Sequence, residues 1–268
     1  MKISIASDLH MEGGITTNAR AFIEAAKGVA DLVILAGDIG CGAQAIPMLA
    51  DAFDCPVLYV PGNHEYYNGH LQHTLAEMKE AADKTATVFV LDRDEVVLNG
   101  VRFLGATGWS DFSGWSDGLA EWRAQKGMND YRAISCTDPE TGKDRKLLTG
   151  DVKREAELTK DWLRKKLTTL FPGKTVAITH NAPSLLSIKG SPWYLSALTP
   201  SFVNNWESLM YPESLEDETP PLLWAHGHTH WATDHFLYKT RVISNPAGYA
   251  SEQKTGQHYF KPDLLVEI

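Results

Sequence analysis

Leu32-Val33-Ile34-Leu35-Ala36-Gly37-Asp38 is a run of five apolar residues followed by a glycine and a carboxylate. A short β-branched run without polar alternation reads as a strand buried on both faces. Its carboxylate then falls at the C-terminal edge of a sheet, where open α/β folds hold their ligands. The same pattern repeats outward from this stretch. Residues 2–7 run into Asp8-Leu9-His10, and residues 57–60 run through Pro61-Gly62 into Asn63-His64-Glu65. Between them, 18–27 and 42–53 carry helical spacing, the first ending before Gly28 in a C-cap. A βαβα order predicts a parallel sheet with helices packed outside it.

The remainder of the chain is richer in strands. A helix is expected over 71–82, then strands over 88–91, 95–98 and 101–106, with Asn99-Gly100 turning a hairpin between the last two. Residues 108–150 break the rhythm with Trp109, Trp115, Trp122 and Asn129-Asp130-Tyr131-Arg132. Without a sustained core pattern of its own, this stretch reads as an insertion within a single domain over 1–268. Apolar positions at helical spacing predict a helix over 151–170, and 174–179 predicts a strand ending on His180. A short helix is expected around 202–210, and further strands over 222–225, 233–238, 240–244 and 263–268. The expected architecture is two stacked mixed sheets flanked by helices.

Composition narrows the function classes. A net charge of −9 over 268 residues gives no basic footprint for a nucleic acid polymer, although a nucleotide-sized substrate stays open. No apolar run nears the roughly 18 residues needed to span a bilayer, so no membrane partner is expected. Three cysteines without Cys-x-x-Cys spacing support neither a disulfide framework nor a thiolate zinc site. A cytoplasmic setting is the expectation.

Five strings, each directly after an apolar run, carry chemistry: Asp8-Leu9-His10, Gly37-Asp38, Gly62-Asn63-His64-Glu65, Thr179-His180-Asn181 and Gly227-His228-Thr229-His230. Together they hold two carboxylates, one amide and five imidazoles as candidates, a hard-to-borderline N,O donor set sufficient for two divalent cations. Asp8 and His10, like His228 and His230, are two apart, and strand alternation points such pairs to one side. Asp38 has two oxygens with which to bridge both ions. His64 is placed to serve as an acid for a leaving alkoxide. His226 falls on the opposite side of the alternation and reads as structural.

This string series resembles the calcineurin-like metallophosphoesterases, and the resemblance extends from Asp8 to His230. It implies a four-layer α/β-β/α sandwich with a binuclear site at the strand ends. By the family pattern Asp8, His10, Asp38 and His230 would hold one metal, Asp38, Asn63, His180 and His228 the other, and His64 would be the catalytic histidine. Protein-phosphatase members carry an Asp and an Arg shortly after the Gly-Asp string, whereas this chain reads Ile39-Gly40-Cys41-Gly42 there. The missing Arg removes a bidentate clamp for a doubly charged monoester. The missing Asp leaves His64 without an identified orienting partner, since adjacent Glu65 points away in an extended segment.

The expected function is therefore hydrolysis of phosphate esters, diesters foremost, by a metal-bound hydroxide with His64 assisting the leaving group. Two divalent ions, Mn, Fe, Zn or Mg, are the expected cofactors. The expected partner is a small phosphorylated substrate, a nucleotide among the candidates. Arg132 and Tyr131 in the insertion are candidate substrate contacts, and Trp109, Trp115, Trp193 and Tyr194 are candidates for stacking on a planar group. The alternatives are a phosphomonoesterase acting on a small molecule or phosphoprotein, and a non-catalytic scaffold that binds a protein partner.

Overall fold

The computed structural model describes residues 1–113, 118–211, 220–253 and 259–268. The first half runs β1 (Lys2–Ala6), α1 (Thr17–Ala26), β2 (Leu32–Ala36), α2 (Ala45–Ala52), β3 (Val57–Val60), α3 (Leu71–Asp83) and β4 (Val88–Val90). Then come β5 (Asp94–Leu98), β6 (Val101–Ala106), α4 (Ala120–Gly127), α5 (Asp130–Ala133), β7 (Ser135–Thr137), β8 (Asp144–Lys146) and α6 (Thr149–Leu167). The chain closes with β9 (Lys174–Thr179), β10 (Leu223–His226), β11 (Thr233–Leu237), β12 (Thr240–Ser244), α7 (Ala250–Gln253) and β13 (Leu265–Glu267).

Two mixed sheets result. The first has the order β13-β1-β2-β3-β4, parallel except for β13. The second has the order β11-β12-β10-β9-β6-β5, with four parallel central strands and antiparallel strands at both edges. Asn99 and Gly100 both take positive φ in the β5–β6 hairpin, as an Asn-Gly turn requires.

Strand alternation builds the layers. Ile5, Ile34 and Leu58 face Phe103, Val176 and Ala225 of the second sheet, forming a central core between the sheets. On the opposite face of the first sheet, Val33, Leu35 and Tyr59 meet Phe22, Ile46, Leu49 and Met78 from α1, α2 and α3. The outer face of the second sheet presents Leu104, Ala177, Trp224 and Val242 to Val152, Ala156 and Leu163 of α6. Strands buried on both faces account for the unbroken apolar runs in the sequence. The chain is thus a four-layer α/β sandwich. Among the described residues no helix is long and apolar enough to cross a membrane.

The segment 108–150 packs into the outer core beside α6 through Trp109, Ala124, Tyr131, Ile134 and Leu147. It is locked to the 199–210 loop. Trp206 is fully buried with its Nε1 donating to Asp111 Oδ2 at 2.7 Å, and Asn204 Nδ2 donates to the carbonyls of Gly108 and Trp109. These tethers explain why the expected helix at 202–210 is absent. The chain forms 3-10 turns at Thr199–Ser201 and Glu207–Leu209, and Val203 between them is drawn into a bridge with Ala182.

Candidate metal centre

Each parallel strand that ends in the site releases its chain into a tight turn. Asp8 and His10 follow β1, Asp38 follows β2, Asn63 follows β3, His180 follows β9, and His228 and His230 follow β10. Five of these donors sit in the left-handed region: Asp8 (φ 53°), His10 (46°), Asp38 (56°), His228 (68°) and His230 (48°). That conformation costs a non-glycine residue on the order of 1 kcal/mol or more and persists only where the surroundings over-determine it. It also corrects the alternation argument for the i, i+2 pairs. Asp8 with His10 and His228 with His230 do converge, but through left-handed turns beyond the strand ends rather than along an extended strand. Three glycines are needed for clearance, among them Gly227, where a Cβ would lie 2.7 Å from the Ala36 carbonyl oxygen. A Cβ on Gly37 would lie 2.2 Å from His180 Nδ1, and one on Gly62 would lie 2.2 Å from Asp38 Oδ1.

The donors gather into three overlapping groups, Asp8–His10–His230, His10–Asp38–His64 and Asp38–His180–His228, each with its donor atoms within 4.8 Å of one another. His10 Nε2 lies 3.1 Å from His230 Nε2, which is 3.3 Å from Asp8 Oδ1. His180 Nε2 lies 3.1 Å from Asn63 Oδ1 and 3.3 Å from Asp38 Oδ2. Asp8 and Asp38 are 0% and 2% exposed. Two deeply buried carboxylates ringed by imidazole nitrogens suit divalent cations, because lone pairs pointed at one another gain most from a shared positive charge.

Every imidazole has its far nitrogen or flank tied down. His180 Nδ1 donates to the Ala36 carbonyl (2.8 Å), His228 Nε2 to the Ser201 carbonyl (3.3 Å) and His230 Nδ1 to Glu252 Oε2 (2.8 Å). Glu12 Oε1 serves both His10 Nδ1 (3.3 Å) and His64 Nδ1 (3.1 Å). Such partners fix the tautomer and turn the other nitrogen toward the centre. Glu12 is the carboxylate beside His64 that the sequence left unidentified. Glu252 lay beyond the last string, and no local pattern could have found it.

Burial opposes the charge on both carboxylates, yet the imidazoles outweigh it. Asp38 is held well below the usual carboxylate range, chiefly by His180 and His64, and Asp8 is lowered by His230. Burial, then the neighbouring His180, pulls His228 down to about 3, so it stays a neutral lone-pair donor. Burial also disfavours the charged form of His64, but the Asp38 carboxylate and the Glu12 hydrogen bond push it up to about 9.

Glu65 departs from the expectation of an extended segment. Residues His64–Tyr66 form a 3-10 turn that swings the Glu65 carboxylate beneath the metal-type loops. It is 1% exposed and accepts from the backbone N–H groups of Asp38, Ile39, Gly40 and Gly62 and from the Tyr59 hydroxyl. This one side chain cross-links the loops carrying Asp38 and Asn63. The His64 amide completes the link by donating to Asp38 Oδ1 at 2.9 Å.

A cavity of about 200 Å³ opens over Asp38, Asn63, His64, His228 and His230. Its walls include Tyr67, Met128, Asn129, Trp193, Phe202 and Tyr249, and among the described residues none of its lining is lysine or arginine. Tyr131 is packed in the outer core, and Arg132 donates to Asn129 Oδ1 (2.7 Å) and the Lys126 carbonyl (3.1 Å), so neither lines the cavity itself. Trp109 is likewise a core residue, Tyr194 is exposed and Trp115 lies outside the described residues. His226 ends β10 buried against the outer core side, away from the centre, with its Nδ1 toward the Gly227 carbonyl.

Comparison with known proteins agrees with this geometry. An uncharacterised protein of Acanthamoeba polyphaga mimivirus is 25% identical over 224 residues, covering 79% of this chain and 73% of that protein. Among solved structures, phosphopantetheinyl hydrolase (PptH) from Mycobacterium tuberculosis superposes with a TM-score of 0.71 at 15% identity, covering 100% of this chain and 95% of that one. A dimetal phosphatase from Danio rerio gives a TM-score of 0.52 at 17% identity, covering 91% and 86%. The sequence profile of the calcineurin-like phosphoesterases matches residues 1–232. With two stacked sheets and a cluster of metal-type donors at their strand ends, this chain belongs to the calcineurin-like phosphoesterase family.

Proposed function

We propose that this metal-dependent phosphoesterase acts on small phosphodiesters, with nucleotide-type esters among them. The observation that carries the reading is the cavity's composition. Asp38, Asn63, His228 and His230 form its floor, aromatic rings form its walls, and among the described residues no guanidinium or ammonium group lines it. A monoester dianion carries more charge on its terminal oxygens than a diester does, and such a dianion gains most from an arginine fork or a lysine. A singly charged diester needs none.

In this reading Asp8, His10, Asp38 and His230 hold one cation and Asp38, Asn63, His180 and His228 the other. Bound ions of this kind (Mn, Fe, Zn or Mg) lower the pKa of a coordinated water and offset charge at the phosphoryl group. The chain's own residues supply the rest. A water oxygen bonds to phosphorus in line with the departing oxygen. The P–O bond to the leaving group breaks with its electron pair on that oxygen, which takes a proton delivered by His64. The products are a monoester and an alcohol. Trp193 and Phe202, whose rings lie 5.9 Å apart, offer a wall for the planar part of an ester. Residues 108–150 set specificity through the Met128–Asn129 edge, and Arg132 acts there by holding Asn129. The chain's free cysteines, two of them buried, accord with a cytoplasmic setting.

The test is a metal-supplemented panel of bis(4-nitrophenyl) phosphate, 4-nitrophenyl phosphate, cyclic nucleotides and a phosphopantetheinyl ester, with H64A as control. A kcat/KM at least tenfold higher for diesters supports the proposal. A preference for the monoester refutes it. Fewer than one bound ion per purified chain, with no hydrolysis of any compound, would favour a scaffold.

A further inference from the structure

The structure gives His64 a partner on both ring nitrogens, and the second is a residue no sequence string contained. Tyr249 comes from the turn between β12 and α7 and places its hydroxyl 3.0 Å from His64 Nε2. With Glu12 Oε1 3.1 Å from Nδ1, the three side chains form one continuous line: carboxylate, imidazole, phenol.

The line is held from several sides. The His64 ring stacks on Tyr67 at 4.2 Å with 28° between planes and meets the edge of His10 at 4.5 Å. The Tyr249 ring stacks on His10 at 4.3 Å and meets His230 edge-on at 4.6 Å. Its backbone N–H donates to Glu252 Oε2, the carboxylate that also orients His230. Tyr249 is 41% exposed and lines the cavity beside His64, so the phenol end of the line is open to incoming substrate. Of the other nearby carboxylates, Asp38 Oδ2 lies 3.9 Å from the same Nε2, beyond hydrogen-bond reach, and two are committed elsewhere. Glu65 is saturated by backbone donors, and Asp130 accepts from Asn63 and Tyr67.

We propose that Tyr249 is a catalytic residue, the terminal proton donor of a Glu12–His64–Tyr249 relay. This rests on the reading of His64 as the source of the leaving group's proton. As the P–O bond to the leaving group breaks, the Tyr249 hydroxyl gives its proton to the departing oxygen and takes the Nε2 proton of His64. Glu12 keeps the Nδ1 proton in place and so holds the ring with Nε2 toward the phenol. The proton lost by the attacking water balances the step, and Tyr249 ends it unchanged. A phenol interposed this way extends the reach of His64 to an ester oxygen the imidazole itself does not touch.

Y249F tests this with little structural cost, because phenylalanine keeps the stacking on His10. The readout is kcat on a series of methyl phosphodiesters with leaving groups from acidic phenols to simple alcohols, together with bound metal by elemental analysis. Expected is a loss of tenfold or more for alkyl leaving groups that shrinks steadily as the leaving group becomes more acidic, with metal content unchanged. H64A/Y249F should be no slower than H64A alone, since members of one relay are not additive. E12Q, which removes the carboxylate charge facing His64 Nδ1, should show the same leaving-group trend with a smaller amplitude. An equal loss on every ester, an unchanged rate, or a faster one would overturn the role of Tyr249. If H64A loses activity while Y249F does not, only the relay fails. If H64A matches the parent on all esters, the acid role of His64 fails and the relay with it.

Discussion

Replacing Glu65 by Gln exchanges one oxygen for an NH2 in a buried side chain outside the cavity lining, yet it should weaken both the fold and the site. Glu65 Oε2 accepts from Gly62 N (2.6 Å) and Asp38 N (3.0 Å), and Oε1 from Tyr59 Oη (2.6 Å), Ile39 N (2.7 Å) and Gly40 N (3.3 Å). All five contacts are donors to it, which only the carboxylate can satisfy. An amide group on the Oε2 side would set two backbone N–H groups against an NH2, each stranded donor costing about 1–3 kcal/mol. The bonds kept by the remaining oxygen would fall from charge-assisted to neutral strength. Burial and the nearby Asp38 carboxylate raise the Glu65 pKa, so removing its charge relieves part of the loss. The net destabilisation should be about 3 kcal/mol, a large share of a typical total of roughly 5–15. Urea unfolding of E65Q should show a lower midpoint at constant m. Calorimetric titration should show weaker Mn²⁺ binding, because Asp38 and Asn63 lose their shared clamp. A variant within about 0.5 kcal/mol of the parent with unaltered Mn²⁺ affinity would refute the reasoning.

G62A should force Asp38 to move, since the new Cβ would lie 2.2 Å from its Oδ1 and 2.7 Å from its backbone nitrogen. A shift of that size at a reacting centre costs roughly a hundredfold in kcat, and a parent-like rate would show that the placement of Asp38 is not needed. His226 is pulled down to about 4 by burial, against 6.5 for an unperturbed imidazole. A depressed folded pKa contributes stability that is present above pH 6.5 and lost as pH falls through 4, about 3 kcal/mol in all. H226L should therefore lose less stability than the parent between pH 7 and pH 4 in urea titrations, and parallel curves would contradict this. W193A should raise KM for a nucleoside diester several-fold or more while leaving a dialkyl ester unaffected, because stacking on one base is worth about 1–3 kcal/mol. Equal changes for both esters would remove Trp193 from the specificity wall.

Much of the scaffold was legible because buried parallel strands leave an uninterrupted apolar signature. Residues 32–36, 57–60, 101–106, 174–179 and 240–244 came out with their observed bounds. The residues that gather at the candidate centre stand out for a related reason, since each lies just beyond such a run. What lay out of reach was long-range or conformational. Glu252 meets His230 and Tyr249 meets His64 only after the chain has folded back from β12, and the nearby sequence gives no sign of either. Glu65 was misread because a 3-10 turn replaces the extended segment assumed there. The 202–210 stretch had helical spacing, but tertiary bonds from Asn204 and Trp206 to the 108–111 segment overrode it.

The donor set is divided between the two sheets, with Asp8, Asp38 and Asn63 on one and His180, His228 and His230 on the other. His10 and His230 alone are 220 positions apart along the chain. Contacts of so wide a span carry a loop-closure cost that must be met before a cation can bridge them, so captured cations are expected to add little to the refolding rate. Their influence falls on the reverse barrier, where a rivet through both sheets has to be drawn before they part. Ion-loaded protein should therefore outlast its stripped counterpart chiefly by opening more slowly.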